Sequence, residues 1–165
     1  MQKNTVTITA PTDGTSLSVA GNTYHTLISG KDTGVAYAVI DMLVPPGGGP
    51  GPHEHAAIQE AFHVLDGEVE FTTQDLKHTA KKGEFINIPL NGPIHFFKNK
   101  SDKMAHLLCI VTPAGLEDFF AEVGKPVAHG TFLPPQPPTP EEMEMIQAAA
   151  KKYGQVLYPA GYLDK

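Results

Sequence analysis

Two histidines one residue apart, His53 and His55, are the side chains of this sequence whose spacing most clearly points to chemistry. Residues two apart on a β-strand face the same way, so both imidazoles should project together. Glu60 begins the next apolar run, EAFHVL, and His95 lies in a later strand-like run, IHFFKN. Imidazoles and a carboxylate aimed at one point form a transition-metal site. We therefore predict one metal centre held by His53, His55, Glu60 and His95.

The donor set indicates the kind of ion and the kind of site. Three neutral imidazoles and one carboxylate suit a borderline divalent ion, and iron, nickel, manganese, cobalt, copper and zinc all fit. Four protein ligands around an ion that accepts five or six leave positions for water, substrate or dioxygen. The pattern is therefore typical of a reactive centre and not of a closed structural one.

Length, charge and cysteine content narrow the class of protein. The 165 residues suit one domain, and a net charge of -6 argues against nucleic acid or an acidic membrane surface as partner. No apolar run could cross a bilayer, and the N-terminus lacks the core of a signal peptide, so we expect a cytoplasmic location. The single cysteine, Cys109, excludes an internal disulfide. Within AHLLCIV it is interpreted as a small buried hydrophobe.

The positions of the glycines and prolines favour an all-β domain. Sixteen glycines and 15 prolines fall between short apolar runs, as in sandwiches and barrels. We expect eight to ten strands, with PPGGGPGP as a loop that delivers His53 to the rim. The strand at 34–44 has apolar residues on both faces, which predicts burial on both sides. Besides the histidine stretch, the predicted strands are 4–9, 23–29, 34–44, 68–73, 76–80, 84–89, 94–99 and 105–111.

Two helices are predicted after the strands. Apolar residues at i, i+3, i+4 and i+7 predict a helix over 116–123. Thr139 as N-cap, Pro140 at the first helical position and Glu142 in a capping box predict a second helix that ends at Gly154. We treat residues 1–165 as a single domain, with a barrel core at about 16–113 and a C-terminal helical extension at about 114–165.

The spacing around His53, His55 and Glu60 resembles the first motif of the cupin superfamily. Gly47, five residues, His53, one residue, His55, four residues, Glu60, six residues and Gly67 fit that motif without a gap. Both histidines and the glutamate stand at the positions of the family's metal ligands.

The second cupin motif is matched with one departure. Gly83, five residues and Pro89, then Gly92, two residues, His95, three residues and Asn99, fit it with one extra residue between Pro89 and Gly92. The extra residue lies in the turn before His95, so it could shift this ligand without removing it.

The resemblance extends from about residue 16 to about residue 160 and is closest to single-domain, quercetin dioxygenase-like cupins. PPGGGPGPHEH, EAFHVLDGEVEF and the tail KYGQVLYP carry it. It implies a double-stranded β-helix (jelly roll) with one divalent metal, often in a homodimer. It also implies dioxygen and a small molecule as partners, with ring-opening oxygenation of a flavonol or similar enol-containing aromatic.

The resemblance also suggests roles for single residues. Glu60 would bind the metal weakly and take the proton of the substrate hydroxyl, which makes it the catalytic candidate. Phe62 and Phe97 lie two residues from proposed ligands, so they should line the substrate pocket. Ile40, Met42 and Phe85 are further candidates for its walls.

Two other functions remain open. The same site could isomerise or decarboxylate a small oxo-acid, or the protein could bind a small molecule without turnover. An oxo-acid usually calls for a cationic anchor in the cavity, but the basic residues are all lysines in turns or near the C-terminus. The remaining histidines, His25, His63, His78, His106 and His129, lack a partner at ligand spacing and are expected to face outward or to be hydrogen-bonded.

Overall fold

The computed structural model describes residues 5–164, whose core consists of two antiparallel β-sheets packed against each other. The strands are β1 (Ser16–Val19), β2 (Asn22–Ile28), β3 (Ala38–Val44), β4 (His53–His55), β5 (Gln59–Asp66), β6 (Glu68–Thr73), β7 (Lys77–Lys81), β8 (Phe85–Ile88), β9 (His95–Lys98), β10 (Ala105–Thr112), β11 (Lys125–Val127) and β12 (Gln155–Leu157). The helices are α1 (Gly30–Thr33), α2 (Leu116–Val123) and α3 (Pro140–Lys152).

The strand order is that of a double-stranded β-helix. One sheet has seven strands in the order β11-β1-β2-β3-β10-β5-β8, and the other has five in the order β12-β4-β9-β6-β7. From β3 to β6, and again from β7 to β10, consecutive strands alternate between the sheets, whose inner faces enclose the apolar core. The predicted all-β jelly roll with two C-terminal helices is confirmed.

Strand β3 shows how alternation fills that core. Ala38, Ile40, Met42 and Val44 are buried, and the residues between them are only half-buried. The prediction that 34–44 is one strand buried on both sides is therefore wrong. Its first residues follow α1, where Gly34 caps the helix in the left-handed conformation, so that the strand starts only at Ala38.

Several short strands differ from those predicted from the sequence. No strand forms over residues 5–9, and the predicted residue 4 lies outside the described residues. Instead, β1 lies between the predicted strands 4–9 and 23–29, and its small residues Ser16 and Ser18 are buried. β11 and β12 have three residues each, too few for a period-2 pattern to be visible.

The two predicted C-terminal helices are present. Thr139 Oγ1 accepts a hydrogen bond from the Glu142 amide at 3.2 Å, and the Glu142 carboxylate accepts one from the Thr139 amide at 2.9 Å, which completes the predicted capping box. Among residues 5–164, no helix combines the length and apolarity needed to cross a membrane.

The C-terminal extension is built into both sheets. β11 pairs with β1, and β12 pairs with β4, the strand that carries His53 and His55. Residues after 113 therefore contribute strands to the barrel as well as helices, although the treatment of the chain as one domain stays a prediction.

The loop before β4 is fixed by close backbone contacts. The Gly47 amide donates to the Asn99 carbonyl at 2.7 Å, and the Asn99 amide donates to Gly48 at 2.9 Å. A Cβ on Gly49 would lie 2.0 Å from the Phe97 carbonyl oxygen, so this position requires glycine. The fully buried Asn99 also donates to the Val44 carbonyl at 2.8 Å. Asn99 thus stabilises the turn, and the loop leads directly into His53.

Candidate metal centre

The four predicted ligands come from strands of both sheets. His53 and His55 alternate on β4, and His53 lies directly opposite His95 of the neighbouring β9. Glu60, the second residue of β5, approaches from the seven-stranded sheet. The centre therefore lies between the sheets, where the jelly roll brings distant parts of the sequence together.

All four side chains are buried and close to one another. Each offers a donor atom within 4.8 Å of the other three, and none of the residues is more than 8% exposed. Glu60 Oε2 lies 3.2 Å from His55 Nε2 and 3.6 Å from His95 Nε2. Donors bound to one ion at about 2.1 Å are separated by roughly 3 to 4 Å, so the group could hold a metal ion after small adjustments.

The hydrogen bonds of the three histidines orient their rings for this role. His53 Nδ1 bonds to the Gly51 carbonyl at 2.9 Å, and His55 Nδ1 bonds to the Ile58 carbonyl at 3.0 Å. His95 Nδ1 bonds to the Pro93 carbonyl at 2.9 Å. A carbonyl can only accept, so each Nδ1 carries a proton, and Nε2 is left as the atom of each ring that can bind a metal ion. Metal-binding histidines are oriented by such second contacts.

An unpartnered nitrogen also fits a metal. His95 Nε2 is buried and has no hydrogen-bond partner within the described residues, although such an atom is costly to leave unpaired. Together with the three-nitrogen, one-carboxylate donor set, this shows that the group could bind a metal ion, whose identity the donors do not determine.

Burial and neighbouring charges shift the pKa values of the candidate ligands. Burial, together with the neighbouring His95, lowers the pKa of His53 to about 4, so its ring is neutral at pH 7. Burial alone would raise the pKa of Glu60, but the hydrogen bond from His55 and the nearby rings of His95 and His53 outweigh it and hold that pKa well below its usual range. Burial alone would lower the pKa of His55, but its contact with Glu60 raises it instead. Glu60 is thus ionised and His53 is available as a neutral ligand.

The extra residue in the second motif leaves His95 in place. Asn91 takes the left-handed conformation at φ 53°, and its amide donates to the Ala56 carbonyl at 3.0 Å. Asn and Asp tolerate this conformation better than other non-glycine residues. The longer turn is thereby absorbed before β9 begins.

Sequence reasoning missed one neighbour of the centre. Cys109, interpreted as a hydrophobe, is indeed buried, but its thiol also donates to Glu60 Oε1 at 3.3 Å. Cys109 lies opposite Phe62 in the pairing of β10 with β5, and Glu60 is two residues before Phe62 on the same face. The contact could have been predicted only from the pairing of the apolar run 105–111 with the ligand-bearing strand β5. A single sequence does not show which strands pair.

A cavity of about 670 Å³ opens onto the centre. Glu60, His53 and His95 contribute to its wall, and the predicted residues Phe62, Phe97 and Met42 line it as well. The three phenylalanines Phe62, Phe71 and Phe97 pack with ring centroids 5.2–5.4 Å apart at the base of this region. The cavity is therefore polar where it meets the metal centre and mostly hydrophobic elsewhere.

Two predicted wall residues lie elsewhere. Ile40 is completely buried in the core and does not reach the cavity surface. Phe85 is 58% exposed, so its placement in the pocket is wrong. It pairs with His63 on β5, and both rings face outward because His63 alternates with the inward-facing Glu60 and Phe62.

The C-terminal extension covers the cavity. Tyr24 stacks on Phe120 of α2 with ring centroids 4.1 Å apart, and both line the cavity. Residues of α3, β12 and the tail complete the wall, among them Ile146, Gln155 and Tyr158. Helix α2 therefore covers the cavity together with α3 and the tail.

The other histidines lie apart from the centre, as expected. His78 bonds to Glu84 at 2.9 Å, and His106 bonds to Asp41 on the outer face of the large sheet. His25 and His129 contact each other edge to face with centroids 4.9 Å apart. None of them joins the four-residue group found among residues 5–164.

Comparison with known families agrees with this geometry. Residues 40–111 match the family model described as a cupin domain, a range that contains both motifs and all four candidate ligands. With the double-stranded β-helix, this match supports the cupin superfamily for this chain.

Relatives by sequence are partial matches without a described activity. The uncharacterized protein MJ1618 of Methanocaldococcus jannaschii is 30% identical over 80 residues, which are 48% of this chain and 63% of that protein. An uncharacterized protein of Aquifex aeolicus is 36% identical over 63 residues, or 38% of this chain and 50% of that protein. The chain thus spans less than two thirds of the length of these curated relatives.

Solved structures share the fold at low identity. A predicted oxalate decarboxylase from Thermotoga maritima has a TM-score of 0.60 and 19% identity, and covers 65% of this chain and 99% of its own. The polyketide cyclase RemF from Streptomyces resistomycificus has a TM-score of 0.58 and 20% identity, with 79% and 89% covered. KdgF from Halomonas sp. has a TM-score of 0.60 and 13% identity, with 69% and 99% covered. These likenesses concern the fold alone.

Proposed function

We propose that this protein is a metal-dependent dioxygenase that opens a ring of a flavonol or a similar enol-containing aromatic. The single observation that carries the proposal is the cavity of about 670 Å³, which is apolar along its length and ends at the buried group His53, His55, Glu60 and His95. The resemblance to quercetin dioxygenase-like cupins in both motifs and in the tail supports the same activity.

The cavity suits a flat aromatic molecule. Its volume lies within the range of roughly 300 to 1,000 Å³ typical of small-molecule sites. Phe62, Phe97, Phe119 and Phe120 line it, and such rings favour stacked or edge-on contacts with another aromatic ring. A substrate held between these walls would present one oxygen-bearing edge to the metal end.

The four clustered residues would hold the ion. His53, His55 and His95 would bind through Nε2, and Glu60 through Oε2, the oxygen nearest the rings. A bound divalent ion would supply an electrophilic centre that favours the ionised form of a hydroxyl group beside it.

Glu60 is the residue proposed to receive the substrate's hydroxyl proton. Its carboxylate is ionised, buried and directed into the cavity, and a base must lie within hydrogen-bond reach of the proton that it accepts. Loss of this proton makes the enol electron-rich and therefore reactive toward dioxygen. The phenylalanines that line the cavity would limit the access of water to the reacting edge of a bound substrate.

The cavity lining disfavours the alternative of a small oxo-acid substrate. No lysine lines the cavity within the described residues, and the sequence contains no arginine. A carboxylate substrate would therefore lack a cationic partner beyond the metal, and burying an unpaired charge is costly. A non-catalytic binding function is distinguished from the proposed one only by turnover.

Oxygen uptake tests the proposal. Protein loaded separately with iron, nickel, cobalt or manganese is mixed with quercetin in air-saturated buffer, and oxygen consumption is followed with an electrode. We expect uptake coupled to loss of the flavonol absorbance with at least one metal, and none with His95→Ala. A spectral shift without uptake would instead indicate a binding protein, and release of carbon dioxide from an oxo-acid without oxygen uptake would favour the decarboxylase.

A homodimer and a cytoplasmic location remain predictions. The outer face of the large sheet supports the dimer, because Val39, Leu108 and Ile110 form neighbouring half-buried apolar positions around the His106–Asp41 pair. Analytical ultracentrifugation of the native protein and of Leu108→Glu measures the oligomeric state, and a monomeric native protein would contradict the dimer.

A further inference from the structure

Gln155 is a buried amide in the wall of the cavity, outside the metal group. It begins β12, lines the cavity and is only 7% exposed. Its Nε2 is buried without a hydrogen-bond partner among the described residues. Among residues 5–164, one other cavity-lining residue, His95, has a buried side-chain atom without a hydrogen-bond partner. A bound metal ion would use that nitrogen of His95.

The register of β12 fixes where this amide points. In the antiparallel pairing of β12 with β4, Gln155 lies opposite His55, and Leu157 lies opposite His53. Directly opposed residues of an antiparallel pair project from the same face. Gln155 therefore shares the face of the candidate ligands, whereas Val156, opposite Glu54, is 50% exposed on the other face.

A purely structural glutamine would be expected to use its donor. Buried polar groups in native proteins are almost always hydrogen-bonded, commonly to backbone carbonyls. Among the described residues, none supplies an acceptor within hydrogen-bond distance of this nitrogen. Because Gln155 lines the cavity, a ligand bound there is a source of the missing acceptor.

We infer that Gln155 donates a hydrogen bond through Nε2 to an oxygen atom of the bound substrate, and so selects oxygen-bearing aromatic ligands. The inference deepens the proposed function, on which it rests for the identity of the site. Gln155 is a specificity-determining residue and takes no part in proton or electron transfer. A site built around a buried donor discriminates against ligands that leave it unpaired.

The first experiment measures binding with a matched control. Nickel-loaded native protein, Gln155→Met and Gln74→Met are titrated without oxygen against quercetin and 3-hydroxyflavone, and binding is followed by the flavonol absorbance. Gln74 is exposed and does not line the cavity, so its replacement controls for the change of side chain alone. We expect Gln155→Met to bind quercetin about tenfold more weakly and Gln74→Met to be unchanged.

Both ways in which affinity can fall support the inference. If Gln155→Met weakens both ligands, the acceptor is an oxygen that they share, whereas weakening of quercetin alone indicates one of its additional hydroxyls. Affinities of Gln155→Met equal to those of the native protein for both ligands, with metal content unchanged, would overturn it.

A second measurement separates this inference from the proposed function. The side-chain amide signals of Gln155 in zinc-loaded, nitrogen-15-labelled native protein, assigned by their absence in Gln155→Met, are followed with phenol, cyclohexanone and toluene. Phenol and cyclohexanone should shift them much more than toluene, which has no oxygen. If no flavonol binds the native protein, the proposed substrate fails while this result still decides the role of Gln155. Equal shifts from all three fragments would refute the inference.

Discussion

The thiol of Cys109 donates a hydrogen bond to Oε1 of Glu60, with the two atoms 3.3 Å apart. The other oxygen, Oε2, is left facing His55 and His95. Burial, reinforced by the charge of Glu60, raises the pKa of the Cys109 thiol well above its usual value, so the thiol keeps its proton and remains a donor. The contact therefore fixes which carboxylate oxygen faces the centre.

Replacing Cys109 should weaken metal binding through Glu60. Cys109→Ala removes the donor, and loss of a partner that orients a metal ligand typically lowers metal affinity by about 10- to 100-fold. Cys109→Ser retains a hydroxyl donor of similar size and should stay near the native affinity. Competition with a chromogenic chelator for cobalt measures both variants. Equal affinities of Cys109→Ala and the native protein would show that the contact has no positioning role.

The candidate ligands were predictable because their positions depend on local spacing. His53 and His55 share a face through strand alternation, and the motif resemblance pointed to Glu60 and His95. The inward positions of Phe62 and Phe97 follow from the same alternation. Local periodicity thus identified the centre and its immediate walls.

The parts that were missed depend on contacts between distant segments. Phe85 alternates outward because its partner His63 does, and that register is not visible in the sequence of β8 alone. Gln155 acquires its role only because β12, a strand of three residues, adds to the edge of β4. The hydrogen bond of Cys109 likewise requires that β10 pair with β5. The pairing of strands that are distant in the sequence was the missing information.

Glu60→Gln should separate metal binding from turnover. The amide keeps the shape and one oxygen donor of the carboxylate, but it is neutral and a very poor proton acceptor. We expect reduced but measurable metal content and a loss of flavonol turnover of about 100-fold or more, the usual contribution of a general base. Elemental analysis and oxygen uptake on the same samples measure both quantities.

Glu68→Gln serves as the matched control for this variant. Glu68 lies on β6 and does not line the cavity, so its replacement should leave metal content and turnover unchanged. Full activity of metal-loaded Glu60→Gln would eliminate Glu60 as the base.

Metal removal should lower the thermal stability of the protein. An ion that binds only the native state adds about 2.7 kcal/mol when its free concentration is one hundred times Kd. For a domain of this length, that corresponds to a shift in Tm of roughly 5 to 10 °C. Differential scanning calorimetry with zinc and then with excess chelator measures the shift.

Histidine variants show whether the effect arises at the candidate centre. His95→Ala should respond little to zinc or chelator, because one ligand is missing. His63→Ala should respond like the native protein, since His63 faces outward beside Phe85. A native Tm that does not change with any of the candidate metals would contradict the metal centre itself.

The pH dependence of Tyr158 tests how the tail is held over the cavity. Its hydroxyl donates to Glu54 Oε1 at 2.7 Å, and this bond, together with burial and the charge of Glu54, raises the pKa of Tyr158 from the ordinary value of 10.0 to about 12. A pKa raised on folding stabilises the docked tail fully below about pH 10, and that contribution is lost as the pH rises toward about 12. Tyrosinate absorbance, taken as the difference between the native protein and Tyr158→Phe, should therefore show that Tyr158 ionises well above pH 10.0.

Glu54→Gln removes the charge beside Tyr158 and should return the pKa of Tyr158 toward 10.0. Ionisation of Tyr158 near pH 10.0 in the native protein, with its circular dichroism still intact, would mean that the tail is not held by this bond.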